Sequence, residues 1–167
     1  MIATELSKGI KLYLLVGGKG ERLSSVTKGK PKPLVDVNGR PFINYVLKNL
    51  KGFDITLVCS DETYWDFKGY ENIGLEVINE GHRSGTGGFL LKIAEDAPDS
   101  FYVMNGDSYF TGDLNLDVDK STVFVAEELI TDDVGYIRGK NGKVESFVEK
   151  DPTVSGNQLV NLGFYKF

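Results

Sequence analysis

The chain has 167 residues, 41% hydrophobic and 26% charged, which is the composition of an ordinary globular protein. That length predicts a single domain over residues 1–167 that buries roughly 70% of its unfolded surface, enough for a core without staples. A formal charge of −5 excludes a general nucleic-acid binder, which carries a basic face. No apolar run approaches the roughly 20 residues that a membrane helix needs, so no membrane partner is expected.

In chain order, "IKLYLLV" (Ile10 to Val16) is too short for a buried helix and ends at a glycine pair, which predicts a first strand. "RPFINYVLKNLKGF" then places Phe42, Tyr45, Val46, Leu50 and Phe53 at helical spacing, with Pro41 in the first turn and Gly52 as the cap. "DITLVCS" predicts a second strand, and "YWDFKGYENIG" a short helix or loop. "LEVINE" (Leu75 to Glu80) predicts a third strand. "SGTGGFLLKIAED" opens with glycines and then sets Phe89, Leu90, Ile93 and Ala94 on one helical face. "FYVMNGD" (Phe101 to Asp107) predicts a fourth strand. This alternation predicts an α/β fold, a three-layer Rossmann-like arrangement around a mostly parallel central sheet.

From about Ser121 the chain reads as strands only, a C-terminal β-rich portion. "VGYIRGK" and "KVESFVEK" flank Asn141-Gly142, the strongest short hairpin signal, and "QLVNLGFYKF" is a final strand. Cys59 is the only cysteine, so an internal disulfide is excluded, and a small core residue in a reducing cytoplasm is expected. The first residues lack the apolar centre of a signal peptide, in keeping with a cytoplasmic location.

Positive charge gathers around residues 19 to 40, which suggests a small anionic ligand. In an open α/β sheet, ligands bind beyond the carboxyl ends of the strands, and three such loops carry distinctive residues. After the first strand, Gly17, Gly18 and Gly20 let backbone amides approach an anion, and Arg22 offers a forked grip on phosphate. The pattern is neither the dinucleotide-binding glycine fingerprint nor a Walker loop. In "KPKPL", Lys30 and Lys32 each precede a proline, which favours extended backbone and makes Lys32 project from a stiff segment. The loop "EGHRSGTGGFL" follows the third strand, and Asn105-Gly106-Asp107 ends the fourth. His82, the sole histidine, is expected to be an exposed loop residue.

"GGKGERL", "KPKPLVDVNGRP", "GTGG" and "NGD", in this order, resemble the signature of the sugar-phosphate nucleotidyltransferases, which make NDP-sugars. The appearance is nearest to heptose 1-phosphate guanylyltransferases. The chain departs from the family pattern at Val16, where alanine is usual, and at Glu21, where threonine is usual. The resemblance implies condensation of a nucleoside triphosphate with a sugar 1-phosphate, releasing pyrophosphate. It implies catalytic roles for Arg22 and Lys32, and nucleotide binding by Val16, Gly17, Gly18, Gly20, Glu80, Gly85 and Thr86. Asp107 is the implied Mg²⁺ ligand, and Gly135, Glu149, Lys150 and Asn161 the implied sugar-phosphate contacts. A nucleotide-binding part then runs to about residue 112 and a sugar-binding part from about 113 to 167.

The family carries a later aspartate, the second metal carboxylate, beyond the strand in which this sequence ends. The expectation is therefore a truncated or naturally shortened catalytic domain, and a terminal strand in mid-sheet predicts a homodimer. Two other readings stand beside the enzyme: a non-catalytic sensor of nucleotide or NDP-sugar, and a cytidylyltransferase for a phospho-alcohol.

Overall fold

Four parallel strands organise the molecule: β1 (Lys11–Leu15), β4 (Asp54–Cys59), β5 (Glu76–Asn79) and β6 (Tyr102–Asn105), in the order β5-β4-β1-β6. The computed structural model describes residues 9–18, 20, 24–82, 84–111, 114–129, 135–149 and 156–167. The connections carry α1 (Ser24–Thr27), α2 (Phe42–Asn49), α3 (Tyr64–Phe67) and α4 (Gly85–Ile93), with 3₁₀ turns at Lys32–Leu34 and Lys68–Ile73.

The apolar strand runs follow from coverage of both sheet faces. On β1, Leu12 and Leu14 pack with Ile43, Val46 and Leu50 of the α2 region. Tyr13, pointing the other way, packs with Phe89 of α4 and Val103 of β6. The three-layer, mostly parallel Rossmann-like architecture is thus the observed one.

Antiparallel strands extend the sheet past β6: β7 (Thr122–Leu129), β8 (Tyr136–Lys140), β9 (Lys143–Val148) and β10 (Asn157–Lys166). β10 is the seam. Its last residues pair with β6, its first with β8, and most of its length with β7. The change of partner falls at an irregularity between Asn161 and Tyr165, where Gly163 has φ +65°. A Cβ at Gly163 would overlap the Asn105 side chain, so both the backbone angle and the close approach require glycine. Phe164 then stacks on Tyr102 at 5.3 Å and meets Phe124 at 4.8 Å, tying the extension to the parallel core.

Three local expectations change. Pro41 precedes α2 with an extended ψ of 136°, because it also closes a small hairpin of β2 (Asp36–Val37) and β3 (Arg40–Pro41). Gly52 has φ +117° but lies beyond the helix cap, which is Leu50. Lys32 stands in a 3₁₀ turn rather than extended backbone, since Leu34 N–H donates to Pro31 O and Val35 N–H to Lys32 O. The two prolines still stiffen the segment, and Pro33 is buried.

Away from the loops discussed above, the first residues of β1, β4 and β5 form a charge cluster. Lys11 Nζ lies 3.3 Å from Asp54 Oδ2 and 3.0 Å from Glu76 Oε2, and the buried Thr56 hydroxyl donates to Glu76 at 2.5 Å. The Thr56 hydrogen bond first, and then that from Lys11, hold the Glu76 carboxyl below its ordinary value. A depressed carboxyl stabilises the fold above its unfolded pKa, and that contribution is lost as pH falls through the folded value. Thr56→Val is therefore expected to cost about 1 kcal/mol or less at pH 7, because Glu76 is half-exposed. The gap between the variant and the wild type should narrow as pH falls through and below the ordinary carboxylate range, where Glu76 becomes protonated in both. A gap that persists there would assign the loss to packing instead.

Candidate functional site

The strand order leaves a crevice where the chain, having built outwards from β1 through β4 and β5, crosses back to β6. An open cavity of about 200 Å³ sits at that point. Its wall includes Gly17 and Gly18 after β1, Glu80 after β5, Gly85 and Thr86 opening α4, and Asp107 after β6, with Lys32 and Pro33 facing them. Three loops separate in sequence thus meet at one pocket.

Lys32 and Asp107 close on one another across it, Nζ to Oδ2 at 3.2 Å. Both remain partly exposed, 30% and 46% of the side chain, so each is accessible to a charged ligand. Gly20 lies under the Lys32 stem: it has φ +65°, and a Cβ there would overlap Lys32 Cγ. The glycine loop therefore shapes the lysine's position as well as its own path. On the far wall Glu80 is held from several sides. Its N–H donates to Cys59 O at 2.8 Å, its carboxylate accepts from Ser84 Oγ at 2.8 Å, and its side chain is 10% exposed. Lys92 Nζ reaches back to the carbonyls of Glu80 and His82 at 2.6 and 3.1 Å.

Val16 lies in the core with a fully buried side chain and is not part of the pocket wall. Arg22 and Lys150 lie outside the described residues. Asn161, Gly135 and Glu149 are not in the pocket wall, yet the sheet draws them together. Tyr136 is opposite both Val148 and Val160, and Asn161 N–H donates to Gly135 O at 3.2 Å. Gly135 thus lies between Asn161 and the strand end that carries Glu149. The Asn161 amide is engaged within β10, donating to Tyr165 Oη at 2.8 Å and accepting from Gly163 N–H at 2.9 Å. This row connects to the pocket through Asn105, which lines the cavity and packs on Gly163.

Leu15, Pro33 and Asn105 are wall residues that the motifs did not single out as contacts. For Leu15 and Asn105 the available signal was position, the last residue of β1 and of β6, and the two are paired across the ladder. His82 is exposed, as expected. Burial pushes the Cys59 thiol up to about 12, and Asp66 and Glu80 add to this, so it cannot serve as a thiolate nucleophile. The pocket's chemistry is cationic and carboxylate-based, and suits phosphoryl groups.

Residues 11–167 match the family model described as nucleotidyl transferase. The D-glycero-alpha-D-manno-heptose 1-phosphate guanylyltransferase of Campylobacter jejuni is 31% identical over 93% of this chain and 75% of its own length. The bifunctional protein GlmU of Methanocaldococcus jannaschii is 30% identical over 92% of this chain, which spans 39% of that protein's length. Among solved structures, HddC from Yersinia pseudotuberculosis superposes with a TM-score of 0.72 and 26% identity, covering 95% of this chain and 76% of that one. The inositol-1-phosphate CTP transferase of T. maritima shares the fold at a TM-score of 0.71 and 20% identity, over 95% of this chain and 70% of its own. The chain belongs to the nucleotidyl transferase family, as a sugar-phosphate nucleotidyltransferase. This is a family of enzymes that use a divalent metal, a nucleoside triphosphate and a sugar phosphate. No helix among the described residues is long and apolar enough to cross a membrane.

Proposed function

We propose that this chain condenses a nucleoside triphosphate with a sugar 1-phosphate, giving an NDP-sugar and pyrophosphate. The observation that carries this reading is the Lys32–Asp107 pair, at 3.2 Å, set in a pocket walled by the glycine loop and the start of α4. GTP is the nucleotide we favour, since guanylyltransferases recur among the relatives and Glu80 offers a carboxylate to a guanine edge.

In the reaction, a sugar-phosphate oxygen bonds to the α-phosphorus as the bond to the β-phosphate oxygen breaks. The electron pair leaves with pyrophosphate. The attacking oxygen is already ionised, so no proton need be removed and no side-chain nucleophile is required. Catalysis is then a matter of alignment and charge. The Lys32 ammonium stabilises charge on the crowded α-phosphate, and Gly17 and Gly18 admit the phosphates close to backbone. Arg22 is assigned to the leaving pyrophosphate. Lys150, with Glu149, Asn161 and Gly135, is assigned to the sugar phosphate and its hydroxyls.

Asp107 is the residue that would hold Mg²⁺. The donor set fits a cation that arrives on the nucleotide, since Mg²⁺ is commonly held by one or two carboxylates with substrate phosphates and water. Among the described residues, no group of three His, Cys, Asp or Glu forms a dedicated cage. Bound there, the ion would neutralise phosphate charge.

The second reading is a nucleotide or NDP-sugar sensor without turnover. Pyrophosphate release separates the two. GTP, UTP, CTP, dTTP and ATP are each mixed with mannose, heptose and glucose 1-phosphates and Mg²⁺. Release in at least one combination is expected. Nucleotide binding with no release in any would favour the sensor.

One domain over residues 1–167 goes with this reading, supported by the single eight-stranded sheet that joins the nucleotide part to the sugar part. So does the cytoplasm, where nucleoside triphosphates are available. A homodimer is supported by the apolar row of Phe147, Ile137 and Leu159, of which Phe147 is 57% and Leu159 40% exposed.

A further inference from the structure

No sequence pattern points to Lys92. It stands in the last turn of α4, where its side chain is 42% exposed and the default reading is a solvated lysine. Its contacts say otherwise. Nζ donates to the backbone oxygens of Glu80 and His82 at 2.6 and 3.1 Å and lies 3.9 Å from the Glu80 carboxylate. Three oxygens therefore converge on one ammonium.

Those oxygens belong to the loop that forms one wall of the pocket. The chain curls between the two carbonyls at Gly81, with φ +80°, whose N–H is taken by Asn79 Oδ1 at 2.8 Å. Two carbonyl dipoles and a carboxylate gathered at one point repel one another, and in the absence of a cation the loop would relax by spreading. The Glu80 carboxylate, fixed by Ser84 Oγ at 2.8 Å, would move with it, as would Gly85 and Thr86 at the loop's end.

We propose that Lys92 is a positioning residue for the nucleotide: it gathers the backbone oxygens of Glu80 and His82 so that Glu80, Gly85 and Thr86 stand ready at the pocket wall before ligand arrives. The inference rests on the nucleotide-binding reading above. A preorganised loop lowers the ordering cost of binding and leaves the chemistry, which lies at Lys32 and Asp107, unaltered. Lys92 should thus act on nucleotide affinity and not on the rate of the bound complex.

The test uses the full chain as wild type, Lys92→Met and Lys92→Arg, with GTP and UTP as probes. Kd is measured by calorimetry, and KM and kcat by pyrophosphate release. In Lys92→Met, Kd and KM for the preferred nucleotide should rise about tenfold, near the lower end of what a hydrogen bond to a charged group is worth. Its kcat should stay within about twofold, and the preference between GTP and UTP should narrow. Lys92→Arg, which keeps the charge and the donors, should recover most of the affinity. Wild-type affinity in the methionine variant would overturn the proposal. So would equal losses in kcat and in sugar-phosphate KM together with a lowered Tm, which mark a merely structural role. If the wild type binds no nucleotide, the functional reading itself fails; wild-type binding that Lys92→Met leaves unchanged sinks this inference alone.

Discussion

Lys32→Met should lower turnover about 10²- to 10³-fold, the usual effect of removing one group that stabilises developing charge. Methionine keeps an unbranched stem of similar length, so the packing of the Lys32 stem over Gly20 survives and the ammonium alone is lost. Stability should change little, by about 0.5 kcal/mol or less, because Asp107 is 46% exposed and hydrates readily once its partner is gone. Steady-state kinetics and thermal unfolding of the same preparation check both halves. Turnover within tenfold of wild type would remove Lys32 from the chemistry.

Asp107→Asn should have the larger effect on turnover, a loss of about 10³-fold or more in the presence of Mg²⁺. Asparagine preserves shape but no longer offers a charged oxygen to a cation. The same substitution should act the opposite way on nucleotide binding in chelator. In the wild type the carboxylate sits 3.2 Å from the Lys32 ammonium, where it occupies the cation and repels an incoming phosphate. With that charge removed, metal-free nucleotide should bind about two- to fivefold more tightly, the effect of releasing an ion pair of this exposure. Calorimetry in EDTA measures it. Weaker metal-free binding would show that Asp107 supports the nucleotide by some route other than a cation. A Lys32→Met/Asp107→Asn double variant should be non-additive in this assay, since each change already breaks the same pair.

Much of the architecture is legible locally. The four parallel strands are short apolar runs because helices cover both sheet faces, and the β8–β9 hairpin is announced by Asn141 and Gly142, both with positive φ. The β2–β3 hairpin carries the same signal at Asn38-Gly39, with φ +52° and +80°. It escapes notice because strands of two residues show no alternation to flank the turn. The path of β10 is less accessible still. Nothing in "NQLVNLGFYK" says that one strand will serve β6, β7 and β8, because partner choice depends on residues far along the chain.

The site divides in the same way. Which residue types suit an anion was legible in the sequence. Glycines that free the backbone, prolines that stiffen a lysine, and an aspartate at a strand end act through their own local geometry. Which of them meet was settled only by the tertiary structure. The order β5-β4-β1-β6 sets the ends of β1 and β6 side by side and brings Lys32 to Asp107 across 75 residues of chain. It also withdraws the Val16 side chain into the core, while the antiparallel extension β10-β8-β9 gathers Gly135, Glu149 and Asn161 into a neighbouring row that reaches the pocket through Asn105. The physical reason is that side-chain chemistry and turn geometry are local properties, whereas strand order and register are fixed by the collective burial of distant apolar residues.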